Sequence, residues 1–470
     1  MGILNFSGLR ATIFGLGREG IAVARFLAER GARVTVTDVK PAEALARRLV
    51  KLERLPIHLV LGAHPPQVLE ADVIFVSPGV SMEIPPLAEA RRRGLLLTSE
   101  PRLFAALCPA PLIGITGSSG KTTTAILVGQ ILKANGMRAW VGGNIGEPLI
   151  SAVEEISPTD QVVAELSSFQ LEYFAPQPEA RPPTGWEALA QGYSPHVAAL
   201  LNITPNHLDR HPSMGAYVEA KSHICRYQRP EDVCVLGANV ERHLCLRHRC
   251  RQTLLFSLEA EVEEGSFLRD GRVMLRLAGR EEGVCSVDEI KLRGQHNVAN
   301  VLAACAIAGA AGALPEAMRE AISTFQGVPH RLELVRELRG VRYYNDSIAT
   351  SPERACAALR SFDEPIVLLA GGRDKHLPWD EFAELALRRA RHVICFGEAA
   401  ELIACKLEVN TCASVTCKIV TTLEEAVVAA SSVAQPGDVV LLAPGCTSFD
   451  AFRDFEERGE RFRELVQSLG

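Results

Sequence analysis

The sequence predicts an α/β protein of three domains, each built on a mostly parallel sheet flanked by helices. Short apolar runs bounded by turn residues recur along the 470-residue chain, and stretches with helical spacing of apolar residues alternate with them. Several runs end in glycine-rich turns, as strands do where they feed a crossover helix. Prolines interrupt the series at Cys108-Pro109-Ala110-Pro111, and it restarts around Phe325-Gln326-Gly327-Val328-Pro329. The domains expected from these breaks are residues 1–108, 109–325 and 326–470.

In the first domain Leu9 to Phe14 reads as a strand, followed by Gly15-Leu16-Gly17-Arg18-Glu19-Gly20. Ile21, Val23, Phe26 and Leu27 then suit a helix, and Val34 to Asp38 a second strand. This is a βαβ unit with the dinucleotide fingerprint, and Asp38 sits where a ribose-binding acid would lie. The unit suits a diphosphate-bearing substrate, a dinucleotide or a purely structural turn. Asp72 to Val76 is a further strand, running into Ser77-Pro78-Gly79 at the same sheet edge.

The second domain carries Gly114-Ile115-Thr116-Gly117-Ser118-Ser119-Gly120-Lys121-Thr122-Thr123-Thr124 between a strand and a helix that ends near Asn135-Gly136. Such a turn leaves backbone N–H groups free to cradle a polyphosphate at the positive helix end. Lys121 would neutralise the outer phosphates and the Thr122 hydroxyl would ligand Mg²⁺. Strict phosphate-loop spacing asks for glycine at 115, where this chain has Ile115. The loop is expected to bind a nucleoside triphosphate. Glu165 ends the strand Gln161–Leu166, and Val197 to Asn202 runs into Thr204-Pro205-Asn206-His207. An acid and a histidine at neighbouring strand ends suit a divalent ion. Lys221 reads on spacing alone as a solvated helical lysine. Residues 175–195 read as a proline-rich surface loop, and short strands separated by acidic turns fill 230–290.

In the third domain, strands end at Tyr343-Tyr344-Asn345-Asp346-Ser347, Ile366 to Ala370, Val393 to Phe396 and Val439 to Ala443. Phe449 to Arg458 reads as the start of an amphipathic helix, with Glu456, Glu457 and Arg458 on a solvated face. A net charge of −6 gives no reason to expect nucleic acid, and no apolar run reaches the roughly 18–20 residues of a membrane span. The first residues lack a signal peptide's basic and apolar regions. Thirteen scattered cysteines suit reduced thiols in the cytoplasm. His243, Cys245, His248 and Cys250 cluster without zinc-finger spacing.

Taken together, Gly117-Ser118-Ser119-Gly120-Lys121-Thr122, Glu165-Leu166-Ser167-Ser168-Phe169-Gln170-Leu171-Glu172 and Asn202 to His211 form one ordered series. Gly294-Gln295-His296-Asn297, Pro329-His330-Arg331, Asn345-Asp346-Ser347 and Gly371-Gly372 continue it. The series resembles the Mur ligase family of peptidoglycan synthesis across nearly the whole chain. The resemblance implies an N-terminal Rossmann-like domain for a UDP substrate, a central P-loop ATPase-like domain, and a C-terminal Rossmann-like domain for the incoming amino acid. The Glu165 to Glu172 run, Gly15-Leu16-Gly17 and Thr447-Ser448-Phe449-Asp450 with Phe455 are most similar to the branch that adds D-glutamate to UDP-N-acetylmuramoyl-L-alanine.

By that resemblance Gly117 to Thr123, His330, Arg331 and Asp346 meet ATP. Thr122, Glu165, His207 and Lys221 serve two Mg²⁺ sites, with Lys221 carbamylated, and Lys121, His207 and Lys221 are catalytic. Gly17, Arg18, Glu19, Asp38, Ser77, Pro78 and Gly79 would take the UDP substrate, with Asn144 and Ser167 further along it. Thr350, Lys375, Ser448, Phe449 and Phe455 would hold D-glutamate. A monomer is implied. One departure matters here: many members carry lysine where this chain has Ile348, so another cation such as Lys375 or Arg373 must do more. A ligase with another acceptor or amino acid (folylpolyglutamate-type included), an NAD-dependent oxidoreductase and a non-catalytic nucleotide-binding regulator are the competing readings.

Overall fold

The structure, a computed structural model, describes residues 4–205, 210–241, 252–408 and 416–470. The chain forms two compact units, Met1–Ile290 with Gln295–Thr324, and Lys291–Gly294 with Phe325–Gly470. The first unit contains two sheets and the second contains one, so the three-sheet α/β architecture holds.

The first sheet comprises β1 (Arg10–Phe14), β2 (Arg33–Asp38), β3 (Ile57–Leu61), β4 (Val73–Val76) and β5 (Leu96–Thr98). Its order is β3-β2-β1-β4-β5, parallel throughout. The order reverses between β1 and β4, which is where ligands bind in sheets of this kind. The turns after β1 and β4 therefore meet at the switch point. There Gly15 has φ +88°, and a Cβ on Gly20 would lie 2.1 Å from Gly15 O. Only glycine lets the helix Arg18–Glu29 start this close to the strand end.

The second sheet comprises β6 (Leu112–Thr116), β7 (Ala139–Gly143), β8 (Gln161–Glu165), β9 (Val197–Leu200), β10 (Val233–Gly237), β11 (Gln252–Ser257), β12 (Gly265–Arg269), β13 (Arg272–Leu277) and β14 (Arg280–Ser286). Its order is β14-β13-β12-β11-β10-β9-β6-β8-β7. Strands β12 to β14 are antiparallel, joined through Asp270-Gly271 and Ala278-Gly279, all at positive φ. Two left-handed residues match the twist of a tight hairpin, so this edge departs from the parallel pattern for a local reason.

The third sheet comprises β15 (Glu333–Leu338), β16 (Val341–Asn345), β17 (Ile366–Gly371), β18 (Ala390–Phe396), β19 (Thr416–Ile419) and β20 (Val439–Gly445), ordered β15-β16-β20-β17-β18-β19. All pairs are parallel except β15 with β16, again a hairpin through positive-φ residues, Arg339 and Gly340.

Three expectations are corrected. Residues 175–195 are no simple surface loop, because Trp186 and Leu189 are fully buried and Trp186 packs edge-on against Phe6 and Phe75. Gln177 also bridges β5, accepting from Leu97 N at 3.1 Å and donating to Leu97 O at 2.6 Å. The segment seals the edge of the first sheet. The last helix begins at Phe455, with Asp454 Oδ1 capping Glu457 N at 2.8 Å, and Phe449 lies before it. Arg458 is completely buried, on a stripe with Gly459, Phe462 and Val466 whose spacing is helical.

Candidate active site

The phosphate loop joins β6 to the helix Lys121–Ala134. Ile115 is an interior strand residue, and a Cβ on Gly114 would lie 2.5 Å from Pro195, so glycine at 114 serves packing. Gly120 sits at φ +81°, where a Cβ would lie 2.2 Å from Asn300 Oδ1. Asn202 ties the loop down, its Oδ1 accepting from Ser119 N at 2.9 Å and its Nδ2 donating to Ser119 O at 3.1 Å. Lys121 Nζ donates to Gly117 O (2.9 Å) and Ser118 O (3.2 Å). The cation and the loop amides are thus held together in the space where phosphates would lie.

Glu165 ends β8 beside the loop and is buried. Its Oε2 accepts from the Thr122 hydroxyl at 2.7 Å, and its Oε1 accepts from Asn144 Nδ2 at 2.9 Å. A carboxylate and a hydroxyl on adjacent elements are hard oxygen donors of the kind Mg²⁺ prefers. Among the described residues no group of three His, Cys, Asp or Glu side chains is arranged to hold a metal. Magnesium bound through one or two carboxylates plus substrate phosphates needs no such cage, so the donor set fits. Lys221, on the helix Met214–Arg226, is buried and not solvated. Its Nζ donates to Gly117 O at 2.9 Å and Thr116 Oγ1 at 3.3 Å. Burial, then the nearby Lys121, pull its amine down to about 6, against the opposing pull of Glu165. His207 lies outside the described residues, as do His243, Cys245, His248 and Cys250.

Thr123 is buried on the first turn of the loop helix. Ser167 opens a short helix as a capping box with Gln170, and Gln170 Nε2 then donates to Glu19 Oε1 at 2.6 Å. Glu19 thereby faces inward. Its Oε2 is buried and unpartnered, like Oε2 of the buried Glu100. Burial drives Glu19 up to about 7, against Gln170; burial and then Glu19 drive Glu100 up to about 8. Asp38 uses one oxygen for Leu16 N and the other for Lys40 N, both at 2.9 Å, fixing the turn. Ser77 Oγ donates to Gly15 O at 2.7 Å, while Pro78 is half-buried and Gly79 exposed. Arg18 and Gly17 border this turn, with Arg18 Nη1 donating to Gly146 O at 3.1 Å.

In the second unit Asp346 follows β16, and its Oδ1 accepts from Leu332 N at 3.0 Å. Burial raises its carboxyl to about 6. His330 (φ +62°) packs its ring over Gly459, with Nδ1 3.0 Å from Asn345 Nδ2. Arg331 is exposed. Lys375 Nζ donates to Thr350 Oγ1 at 3.3 Å. Ser448 is buried, Phe449 exposed, and Phe455 half-buried. Arg373 pairs with Glu398 through two 2.8 Å bonds, both side chains being exposed.

Sequence reasoning missed Tyr217, whose Oη is 2.9 Å from Ser118 Oγ and whose ring lies 4.9 Å from Lys221 Nζ. Four residues before Lys221 on one helix, its spacing was the available signal. Arg458 was also missed as a site-building residue. It donates to Ser347 Oγ (3.0 Å), Ser347 O (2.9 Å), Cys446 O (3.2 Å) and Gly371 O (3.5 Å).

A phosphate loop between parallel strands, flanked by a carboxylate and a buried lysine, defines a nucleotide-dependent enzyme of the P-loop class. The family models that match are the Mur ligase middle domain (residues 115–308), the Mur ligase glutamate ligase domain (330–446) and the Mur ligase MurD-like N-terminal domain (10–99). The chain belongs to the Mur ligase family. It is 44% identical to the UDP-N-acetylmuramoylalanine–D-glutamate ligase of Symbiobacterium thermophilum over 98% of each chain. It is 43% identical to the enzyme of the same name from Geobacter metallireducens over 99% of each chain. Among solved structures it resembles the UDP-N-acetylmuramate-alanine ligase MurC of Thermotoga maritima, with TM-score 0.56 and 20% identity over 98% of this chain and 99% of that one. It also resembles MurF of the same organism in complex with ADP, with TM-score 0.53 and 18% identity over 99% of this chain and 97% of that one.

Proposed function

We propose that this chain is an ATP-dependent ligase joining D-glutamate to UDP-N-acetylmuramoyl-L-alanine in cytoplasmic peptidoglycan precursor synthesis. The observation that carries the reading is the Lys121–Thr122–Glu165–Asn144–Lys221 constellation, in a chain matching D-glutamate ligases end to end.

A carboxylate is a poor electrophile, so the substrate carboxylate oxygen first attacks the γ-phosphorus and ADP leaves. The amine of D-glutamate then attacks the acyl carbon, its proton is lost, and phosphate departs. Negative charge collects on phosphate oxygens in both steps, and preorganised cations and N–H groups stabilise it. Residues 117–123 cradle the phosphates and Lys121 neutralises them. Thr122, Glu165, His207 and a carbamylated Lys221 would hold Mg²⁺, which when bound screens phosphate charge. A carbamate requires a neutral amine, which the buried Lys221 supplies.

His330, Arg331 and Asp346 take the nucleotide, and Thr350, Lys375, Ser448, Phe449 and Phe455 the D-glutamate. Gly17, Arg18, Glu19, Asp38, Ser77, Pro78 and Gly79, with Asn144 and Ser167, take the UDP substrate. Glu19 acts there by holding the turn, since its carboxylate faces Gln170. Residues 1–108, 109–325 and 326–470 then correspond to UDP-substrate, ATP and amino-acid domains of a monomer. No helix among the described residues is long and apolar enough to cross a membrane.

The test is phosphate release from ATP with UDP-N-acetylmuramoyl-L-alanine and one amino acid at a time. Release that depends on D-glutamate alone is expected. Release with meso-diaminopimelate or L-alanine instead would move the chain to another branch.

A further inference from the structure

Position 348, where the family resemblance implies a lysine, is an isoleucine, and the fold around it offers a cation outside the expected candidates. Residues 346–350 form a tight turn after β16, with Ala349 N bonded to Asp346 O and Thr350 N to Ile348 O, both at 2.8 Å. The helix Pro352–Leu359 starts immediately afterwards, with Ser351 as its N-cap. Arg354 stands on the first turn of that helix and folds back, its Nη1 3.4 Å from Ile348 O. Its guanidinium therefore returns to the very turn whose own side chain at 348 is apolar. On the other side of the turn Lys375 Nζ holds Thr350 Oγ1 at 3.3 Å.

The charge balance of this turn is uneven. Among the described residues, no carboxylate hydrogen-bonds or ion-pairs with Arg331, Arg354 or Lys375, and all three are exposed. Of the carboxyls that act on Arg354, Asp346 is buried and shifted toward neutrality, and Glu353 is exposed on the helix beside it. Desolvation and then Arg331 lower the pKa of Arg354, against Asp346 and Glu353, while desolvation and then Arg354 lower that of Lys375. Like charges gathered at a cost to each other, with solvent access, call for an anion that comes from outside the chain. Arg373, the other nearby arginine, is paired with Glu398.

We propose that Arg354 is a specificity-determining residue that binds a carboxylate of the incoming acidic amino acid, replacing the cation absent at Ile348. The proposal rests on the ligase reading above. A planar guanidinium fork matches a carboxylate through paired hydrogen bonds, and it shares its turn with Thr350 and Lys375 on the amino-acid side. Phosphate offers the same oxyanion chemistry from the nucleotide side, and the kinetics separate the two.

The experiment measures KM for D-glutamate, KM for ATP, kcat and melting temperature for wild type, Arg354→Gln, Arg354→Lys and the double variant Ile348→Lys/Arg354→Gln. Arg354→Gln should raise KM for D-glutamate about ten- to hundredfold, the worth of a charged hydrogen-bonded contact. KM for ATP, kcat and the melting temperature should stay near wild type. Arg354→Lys should keep part of the affinity, and the double variant should recover most of it because the lysine re-enters the same turn. An unchanged KM for D-glutamate overturns the proposal. So does a rise confined to ATP, which would assign the arginine to phosphate, or a loss that tracks the melting temperature and is not rescued by Ile348→Lys. Failure of the underlying reading appears earlier and separately, as wild-type enzyme that does not respond to D-glutamate.

Discussion

Each unit of this protein buries one cation completely beside its proposed site, and the two are treated oppositely. Lys221 meets a backbone carbonyl and a hydroxyl, and desolvation with Lys121 nearby brings its amine down to about 6. Arg458 meets four neutral oxygens and is lowered only to about 10, so it stays charged at neutral pH. The difference follows from their chemistry, since a delocalised guanidinium tolerates burial where a compact ammonium gives up its proton. One burial favours the neutral amine beside a phosphate loop. The other makes a permanent strut that ties β16, β17 and β20 to the last helix, while the cations Arg331, Arg354 and Lys375 stay exposed.

The largest effect expected from breaking this contrast is at the phosphate loop. Lys121→Ala removes the loop's own cation and should slow ATP-dependent phosphate release by about 10²–10³-fold, the cost of one preorganised charge-stabilising donor. The fold should survive, because the loop glycines and Asn202 remain, and circular dichroism with a melting curve checks that. Near wild-type turnover would sink the assignment of the loop. Next comes the strut. Arg458→Met keeps bulk but orphans Ser347 O and Cys446 O, and should destabilise the second unit by about 3 kcal/mol. Chemical unfolding followed by fluorescence reads it, and a loss below about 0.5 kcal/mol would mean that the carbonyls find other partners.

The phosphate loop was legible because its chemistry is local: Gly120, Lys121 and Thr122 are neighbours in sequence, and the spacing dictates the turn. Glu165 was legible as a strand-end acid. The turn of Lys221 into the interior was not, since helical spacing places it beside Tyr217 without saying which face is buried. Arg458 was misread for a related reason. A charged residue on an apolar stripe looks like a helix edge until its acceptors, distant in sequence, are known. The burial of Trp186 depended on tertiary packing in the same way, as did the pairing of Arg373 with Glu398, whereas the hairpin β15–β16 turns locally on Arg339-Gly340. The parallel sheets themselves followed from apolar runs and glycine turns, which carry their own periodicity.

A pH-dependent effect sharpens the comparison by asking what a buried anion does in the same fold. Glu100 and Glu19 are buried near one another in the first unit, each with one unpartnered oxygen, and Glu100 is held up to about 8 from an ordinary 4.5. Unfolding releases Glu100 into water, where it ionises in its usual range. Between that range and about 8 the folded chain keeps a proton that the unfolded chain has lost. Stability is therefore greatest at low pH with respect to this group and is lost as pH rises, by about 1.4 kcal/mol per pH unit for one linked proton. Glu100→Gln cannot ionise, and its oxygen can still accept from Ile150 N as Glu100 does at 2.8 Å. The variant should match wild type near pH 5 and exceed it near pH 8.5 in melting temperature. Parallel melting curves across that range would show that Glu100 is already ionised in the fold, and that this buried acid, unlike Lys221, does not change its charge to suit its site.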